Sequence, residues 1–409
     1  MKQGGSFLLN PVEEGEIFTR ESLTEEQIAF QNATTDFFEN EVAPKNSEIE
    51  NHQNNISAEL LKKAGELGLL MVEVPEAYGG LGLGKRTATV VTEAATAQGS
   101  FAVTFMCHTG IGTLPILYFG NEEQKKKYLP KLASGEYIGA YALTEAGSGS
   151  DALAARTKAV LSADGKHYIL NGSKAFITNG AWADVFTVFA KIDGEQFTGF
   201  IVEKDMPGFS IGTEEKKMGI KGSSTVTINF DDCQVPVENV LGKIGKGHRI
   251  AFNVLNIGRW KLGAAAVGGC KRVLKEMVPY VIERKQFGKS LSEFGLIRKK
   301  VADCSISTYA TESIMYRVAG LYDHAIAALD KSDPEYDYKC IKAIEEYAIE
   351  ASIAKVFGSE ALWECADEGV QAFGGYGFSA EYPMESIQRD SRINRICEGT
   401  NEIKRLIIP

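Results

Sequence analysis

Apolar and polar positions follow three different rhythms along the chain, and each predicts a different kind of structure. In the N-terminal third the rhythm is helical. Thr24-Glu25-Glu26-Gln27 fits a capping box, in which Thr24 takes a free N–H and Gln27 reaches back. Ile28, Phe30, Phe37 and Phe38 then recur at roughly helical spacing until Pro44 ends the run. Ser57 opens a second amphipathic stretch over 58–69, and 86–119 is small and apolar enough for buried helices. Asn121-Glu122-Glu123-Gln124 repeats the cap pattern.

From 137 to about 240, β-branched and aromatic residues alternate with turn signals. His167-Tyr168-Ile169-Leu170 precedes Asn171-Gly172, and Val185-Phe186-Thr187-Val188-Phe189 leads to Asp193-Gly194. Thr225-Val226-Thr227-Ile228-Asn229-Phe230 precedes Asp231-Asp232. Short strands so spaced predict an antiparallel barrel or sandwich. Beyond 247 the helical rhythm returns, with Pro279 expected to kink or interrupt a long apolar helix over 250–284. A loop at 330–334 precedes a further long helical pattern over 341–371. The expected fold is therefore α+β: an N-terminal helical domain (1–136), a middle β domain (137–246) and a C-terminal helical bundle (247–409).

Composition removes several functions. The 409 residues are 44% apolar and 24% charged, which excludes wholesale disorder. Lys and Arg total 44 against 54 Asp and Glu, a net charge of -10, so a nucleic-acid partner is not expected. No apolar run reaches the roughly 18 residues of a transmembrane segment. Glu13, Glu14 and Glu16 argue against a targeting segment, and a cytoplasmic location is expected. Seven scattered cysteines without a CxxC pair and five isolated histidines predict neither a disulfide framework nor a metal site.

Four segments are candidates for chemistry. Gly79-Gly80-Leu81-Gly82-Leu83-Gly84-Lys85 approaches a phosphate-binding loop, but Arg86 stands where a Ser or Thr must hold Mg²⁺, so a plain turn is expected. Thr144-Glu145-Ala146-Gly147-Ser148-Gly149-Ser150-Asp151 joins the helical and β zones, and its glycines let backbone N–H groups converge on a polar ligand. Gln371-Ala372-Phe373-Gly374-Gly375-Tyr376-Gly377-Phe378 has more glycines than a helix cap needs. Arg389, Arg392 and Arg395 share one helical side and lead to Cys397-Glu398-Gly399-Thr400, where the helix should break.

In this order, these segments resemble the acyl-CoA dehydrogenase family over nearly the whole chain. Phe176-Ile177-Thr178-Asn179-Gly180, Lys217-Met218-Gly219-Ile220-Lys221 and Glu283-Arg284-Lys285-Gln286-Phe287-Gly288 add to the likeness. Asn256-Ile257-Gly258-Arg259 and Phe294-Gly295-Leu296-Ile297 look most similar to the very-long-chain branch. The resemblance implies a C-terminal four-helix bundle and FAD held between it and the β domain, partly by a neighbouring subunit. Tyr141, Leu143, Thr144, Gly149, Ser150, Phe176, Ile177 and Thr178 would hold the flavin and pyrophosphate. Arg284, Gln286, Phe287, Gln371, Gly374 and Gly375 would reach the nucleotide across the subunit interface, and Thr400 and Glu402 would complete that site. Ser150, Asn256, Arg259 and Gly399 match substrate positions, and Glu398 matches the catalytic base. Some branches carry the base near Arg259 instead, but Ile257 and Gly258 cannot take a proton.

The implied reaction is α,β-dehydrogenation of a medium- to long-chain acyl-CoA to trans-2-enoyl-CoA in fatty acid β-oxidation. Electrons would pass to an electron-transferring flavoprotein, and the enzyme would be a homodimer or homotetramer. The alternatives are an acyl-CoA oxidase using O₂ and a non-enzymatic assembly factor on the same fold. Three departures stand out. Ala146 replaces a frequent proline, and Cys397 replaces an aromatic residue beside the base. The chain also ends at Pro409, where the very-long-chain branch continues into a further helical domain linked to membrane association.

Overall fold

The computed structural model describes residues 3–10 and 17–408; Glu13, Glu14, Glu16 and Pro409 lie outside the described residues. Seven helices come first: α1 (Glu25–Phe37), α2 (Asn46–Glu50), α3 (Ile56–Glu66), α4 (Lys85–Ala94), α5 (Gly99–Cys107), α6 (Leu114–Phe119) and α7 (Glu122–Ser134). Both capping boxes form. Gln27 N–H donates to Thr24 Oγ1 at 3.2 Å while Thr24 N–H donates to Gln27 Oε1 at 3.1 Å. Asn121 and Gln124 exchange the same pair of bonds ahead of α7. Phe37 and Phe38 enter the core, whereas Ile28 lies on the outer face of α1 and is exposed. The run Gly99–Phe119 is, among the described residues, long and apolar enough to cross a membrane, contrary to expectation. It is 72% buried inside the protein, so its apolarity is that of a core segment.

Eight strands follow: β1 (Gly139–Ala142), β2 (Lys158–Leu161), β3 (His167–Thr178), β4 (Val185–Ile192), β5 (Gln196–Glu203), β6 (Phe209–Glu214), β7 (Thr225–Pro236) and β8 (Val240–Leu241). They form one sheet in the order β6-β7-β3-β2-β4-β5-β8, with β1 beside β4. The sheet departs from the antiparallel expectation in two places, because β1 and β2 both pair with β4 in parallel. Long excursions separate those partners, and only tight hairpins impose antiparallel pairing. Asn171-Gly172 and Asp231-Asp232 are not turns either; both lie inside long strands at an irregularity of the β3–β7 register. The Asn171 and Asp232 side chains explain this, since Asn171 donates to Asp232 Oδ1 and accepts from Asp232 N–H, each at 2.9 Å. Asp193-Gly194 does turn, with φ of 52° and 79° at the two residues, the geometry of a tight hairpin.

The C-terminal part opens with α8 (Gly247–Glu283), a small hairpin of β9 (Lys285–Gln286) and β10 (Lys289–Ser290), and α9 (Gly295–Ala327). Then come α10 (Tyr336–Glu345), α11 (Ala348–Phe373), α12 (Pro383–Ser391) and α13 (Asn401–Arg405). Helices α8, α9 and α11 pack on one another, with α10 against α8 and α9. Pro279 does not interrupt α8, which runs one more turn to Glu283 although the proline removes one N–H from the helical ladder. The pattern over 341–371 is divided between α10 and α11. Arg389 lies on α12, whereas Arg392 and Arg395 lie on the tighter 3-10 turn after it, so the three do not share one α-helical face.

A buried ion triad ties the N-terminal helices to α8. Lys85, at the start of α4, pairs with one Glu73 oxygen and Lys261 of α8 with the other. Lys85 also donates to the Tyr118 hydroxyl at 2.9 Å. Residues 79–84 thus lead into a buried structural lysine, which excludes the phosphate-loop reading. Burial pushes the Glu73 carboxyl up, but the two ammonium groups outweigh it and hold it down to about 2. Removing the carboxylate strands two buried cations. Glu73→Leu should therefore lower stability by about 3–5 kcal/mol, read as a lower urea midpoint by circular dichroism.

Candidate active site

The 3-10 turn Arg392–Arg395 stops short of α13, and the residues between them carry the break. Glu398 and Gly399 are both left-handed, with φ of 57° and 85°. That conformation is costly for a residue with a side chain, and such residues cluster where geometry serves function. Gly399 has a second reason to lack a side chain: a Cβ there would stand 2.3 Å from Lys404 Cε. The break is held from two helices. Arg259 of α8 donates from Nε to the Glu398 carbonyl at 3.1 Å and also bonds Asn256 Oδ1. Lys355 of α11, fully buried, donates to the Gly399 carbonyl at 2.9 Å and to Asn401 Oδ1 at 2.6 Å.

These bonds grip the Glu398 backbone and leave its carboxylate free. Oε2 is buried and has no hydrogen-bond partner among the described residues. Gly258 makes room for it: a Cβ on Gly258 would lie 2.7 Å from Oε2. Position 258, weighed above as an alternative seat for the base, thus faces the Glu398 carboxylate directly. Burial pushes the Glu398 carboxyl up to about 7, against the pull of Arg259, Lys355 and Lys404. Tyr141 lies close enough that burial and the Glu398 charge both raise its hydroxyl, which donates to the Ala251 carbonyl at 3.3 Å. Cys107, at the end of α5, is pushed up by burial and by Glu398 and Cys397, with the nearby Thr178 hydroxyl pulling the other way.

The structure therefore brings Tyr141, Asn256, Arg259, Glu398 and Gly399 together, with Thr178 close to Cys107 beside them. Leu143 and Ile177 are buried, and Thr144 is half-buried. Phe176 is also left-handed, at φ 58°, and is 63% exposed. Gly149, Ser150 and Glu402 are exposed and Thr400 is half-buried. A separate group lies on the surface. Arg284 sits over the Tyr376 ring, Phe287 is 93% exposed, and Gln286, Gln371, Gly374 and Gly375 are exposed with it.

Sequence reasoning missed Lys355, Lys404 and Lys174. Lys174 is fully buried and donates to Glu145 Oε1 at 2.7 Å and to the Leu143 carbonyl at 3.3 Å, bracing the 144–151 loop. A lysine in a helical or strand pattern reads as a solvated residue, and nothing local marks these as interior.

Comparison with known proteins agrees with this architecture. The profile described as "Acyl-CoA dehydrogenase, N-terminal domain" matches residues 24–136, "Acyl-CoA dehydrogenase, middle domain" 140–233, and "Acyl-CoA dehydrogenase, C-terminal domain" 245–409. A "Probable acyl-CoA dehydrogenase" of Bacillus subtilis is 54% identical over 409 residues, which are 100% of this chain and 69% of that protein. The human mitochondrial very long-chain specific acyl-CoA dehydrogenase is 42% identical over 353 residues, 84% of this chain and 51% of that protein. A crystal structure of an acyl-CoA dehydrogenase complexed with FAD from Bacillus anthracis superposes with a TM-score of 0.98 at 54% identity, covering 100% of this chain and 71% of that one. Three matched domains around one interior carboxylate define the class, a three-domain enzyme of the dehydrogenase kind. The chain belongs to the acyl-CoA dehydrogenase family.

The Glu398 environment makes a prediction independent of any reaction. Infrared difference spectra between pH 5 and 9 should show one carboxyl losing its proton near pH 7, protonated below and ionised above. That band should be absent from Glu398→Gln.

Proposed function

We propose that this chain is an FAD-dependent acyl-CoA dehydrogenase that converts a saturated acyl-CoA to the trans-2-enoyl-CoA, with Glu398 as the base. The observation that carries the reading is the unpartnered Glu398 oxygen, buried and close to neutrality in its proton affinity. A buried carboxyl oxygen without a donor is expensive, and a site that keeps one has a use for it.

The residues present fit the cofactor. A flat ring system needs an apolar surface and outward backbone donors. Phe176 presents its ring to solvent, and Thr144 N–H has no acceptor among the described residues. A Cβ on Gly149, Gly374 or Gly375 would meet nothing within 4 Å, which leaves backbone open to a long nucleotide. Bound FAD supplies the hydride acceptor. Tyr141, Leu143, Thr144, Gly149, Ser150 and Phe176 to Thr178 are assigned to it from one subunit. Arg284, Gln286, Phe287, Gln371, Gly374 and Gly375 are assigned to the same cofactor in a second copy, with Thr400 and Glu402 at its edge. The exposure of Phe287 and its neighbours supports this, because large bare rings beside open backbone suit a contact with another chain. The enzyme is then a homodimer or homotetramer.

Glu398 takes the α-proton. Its N–H, which meets no acceptor among the described residues, is free for the thioester oxygen, where charge develops as the proton leaves. Arg259, itself held by Asn256 Oδ1, grips the Glu398 carbonyl and orients the loop, and Ser150, Asn256, Arg259 and Gly399 line the substrate path. Excluding water raises the carboxylate's basicity to match its task. Electron-transferring flavoprotein is the expected acceptor, the setting is cytoplasmic β-oxidation, and the substrate is medium- to long-chain. Likeness to the very-long-chain relative supports that length.

Two experiments test the reading. Glu398→Gln should keep the yellow flavin yet lose anaerobic bleaching by saturated acyl-CoA at least about a hundredfold. Undiminished bleaching would mean another base. A panel from butyryl- to palmitoyl-CoA, scored by bleaching rate, should peak beyond butyryl-CoA. A butyryl maximum would overturn the chain-length assignment.

A further inference from the structure

Six lysines are buried among the described residues, and five have partners. Lys85 and Lys261 share Glu73, Lys125 pairs with Asp337, Lys174 with Glu145, and Lys355 bonds Gly399 and Asn401. Lys404 is the exception. It is 4% exposed, yet its ammonium makes no hydrogen bond and no ion pair with any described residue. Its stem runs directly beneath the break in the chain, where a Cβ on Gly399 would lie 2.3 Å from its Cε and 3.0 Å from its Nζ.

An ammonium partly desolvated and without a hydrogen-bond partner among the described residues is unfavourable, so the fold keeps it at a cost. The one carboxylate whose charge acts on it is Glu398; Arg259 and Lys355 repel it. Three cations act on Glu398, Arg259 on α8, Lys355 on α11 and Lys404 on α13, and its charge in turn acts on Cys107 on α5, Tyr141 on β1 and Cys397 on its own loop. Among the cations, Arg259 is committed to the Glu398 carbonyl and Asn256, and Lys355 to Gly399 and Asn401. Lys404 alone is uncommitted.

We propose that Lys404 is a positioning residue for proton abstraction: its unpartnered charge keeps Glu398 ionised in the free enzyme near neutral pH. The proposal rests on reading Glu398 as the base. Both groups carry the mark of the arrangement. Burial, with Arg259 and Lys355 adding to it, pushes the Lys404 ammonium down to about 8, and Glu398 is up to about 7. Without the Lys404 charge, Glu398 would sit higher and the base would be protonated over more of the working range.

The stability consequence has a definite sign. Below about pH 8 the folded chain carries a partly desolvated charge that the unfolded chain carries in water, so folding is penalised there. The penalty fades as pH climbs from about 8 towards the ordinary lysine value of 10.5. Lys404→Met should therefore melt higher than the parent at neutral pH, with the gain shrinking over that interval.

The test is the pH profile of flavin bleaching by saturated acyl-CoA in the holoenzyme, for the parent, Lys404→Met, Lys404→Arg and Glu398→Gln. The methionine variant should move the midpoint upward by on the order of one pH unit, run about tenfold slower below the midpoint, and converge with the parent at high pH. The arginine variant, which keeps the charge, should follow the parent. A methionine profile that superimposes on the parent's overturns the proposal, as does a Lys404→Met protein that melts lower at neutral pH. Should the methionine variant fail to load flavin, Lys404→Gln supplies the same comparison with a neutral polar side chain. Full bleaching by Glu398→Gln sinks the base assignment instead, and so separates the two failures.

Discussion

A carboxylate that is to act as a base must be kept dry without being tied up. Direct contact with an ammonium group would keep Glu398 ionised but would take away its appetite for a proton. This structure meets the constraint by spending its cations on the backbone. Arg259 grips the Glu398 carbonyl and Lys355 the Gly399 carbonyl, while Oε2 is left bare. The charges act on the carboxylate through space and moderate its rise without quenching it. Because the two grips come from α8 and α11, the loop's position is inherited from the packing of those helices.

The rest of the fold can be read as support for that loop. Gly258 vacates the volume the carboxylate occupies, and α8 runs on past it to the second core, where Val273 and Met277 pack with Cys365 of α11. The Glu73 triad fixes α8 to the N-terminal helices, and α5 brings Cys107 and its neighbours to the opposite wall. The sheet supplies Tyr141 and Thr178 from β1 and β3, which both belong to it although 36 residues separate β1's end from β3's. Long-range contacts of this kind make the site a property of three packed regions, so a local substitution can disturb it without touching the carboxylate.

Much of this was legible in the residues. Thr24 and Asn121 announced their caps through reciprocal partners three positions on, because capping is a local interaction. The helical, strand and helical zones followed from periodicity. Asn171-Gly172 misled because the turn chemistry of that dipeptide was overridden by a cross-strand bond to Asp232, 61 residues away. Pro279 misled because α8 continues through it, the loss of one helical hydrogen bond being outweighed by the packing of a 37-residue helix. The family motifs pointed to Glu398, but neither Lys355 nor Lys404 was marked, since burial of a lysine depends on what packs around it and leaves no periodic trace.

Four buried or half-buried carboxyls show why burial alone does not identify a base. Glu73 touches two ammonium groups and is held down to about 2. Glu145 meets Lys174, the Thr157 hydroxyl and two backbone N–H groups, and is likewise held down to about 2. Asp390 accepts a backbone N–H from Ile220 and has Arg389 and Arg272 nearby, yet burial still takes it up to about 6. Glu398 reaches about 7 with three cations around it and none in contact. Depth alone does not order the set, and what differs is how many donors touch the oxygens. Asp390 titrates near Glu398 but spends an oxygen on the Ile220 N–H, so it holds the 216–223 loop against α12. Of the four, only Glu398 combines a raised proton affinity with a buried oxygen that lacks a partner among the described residues.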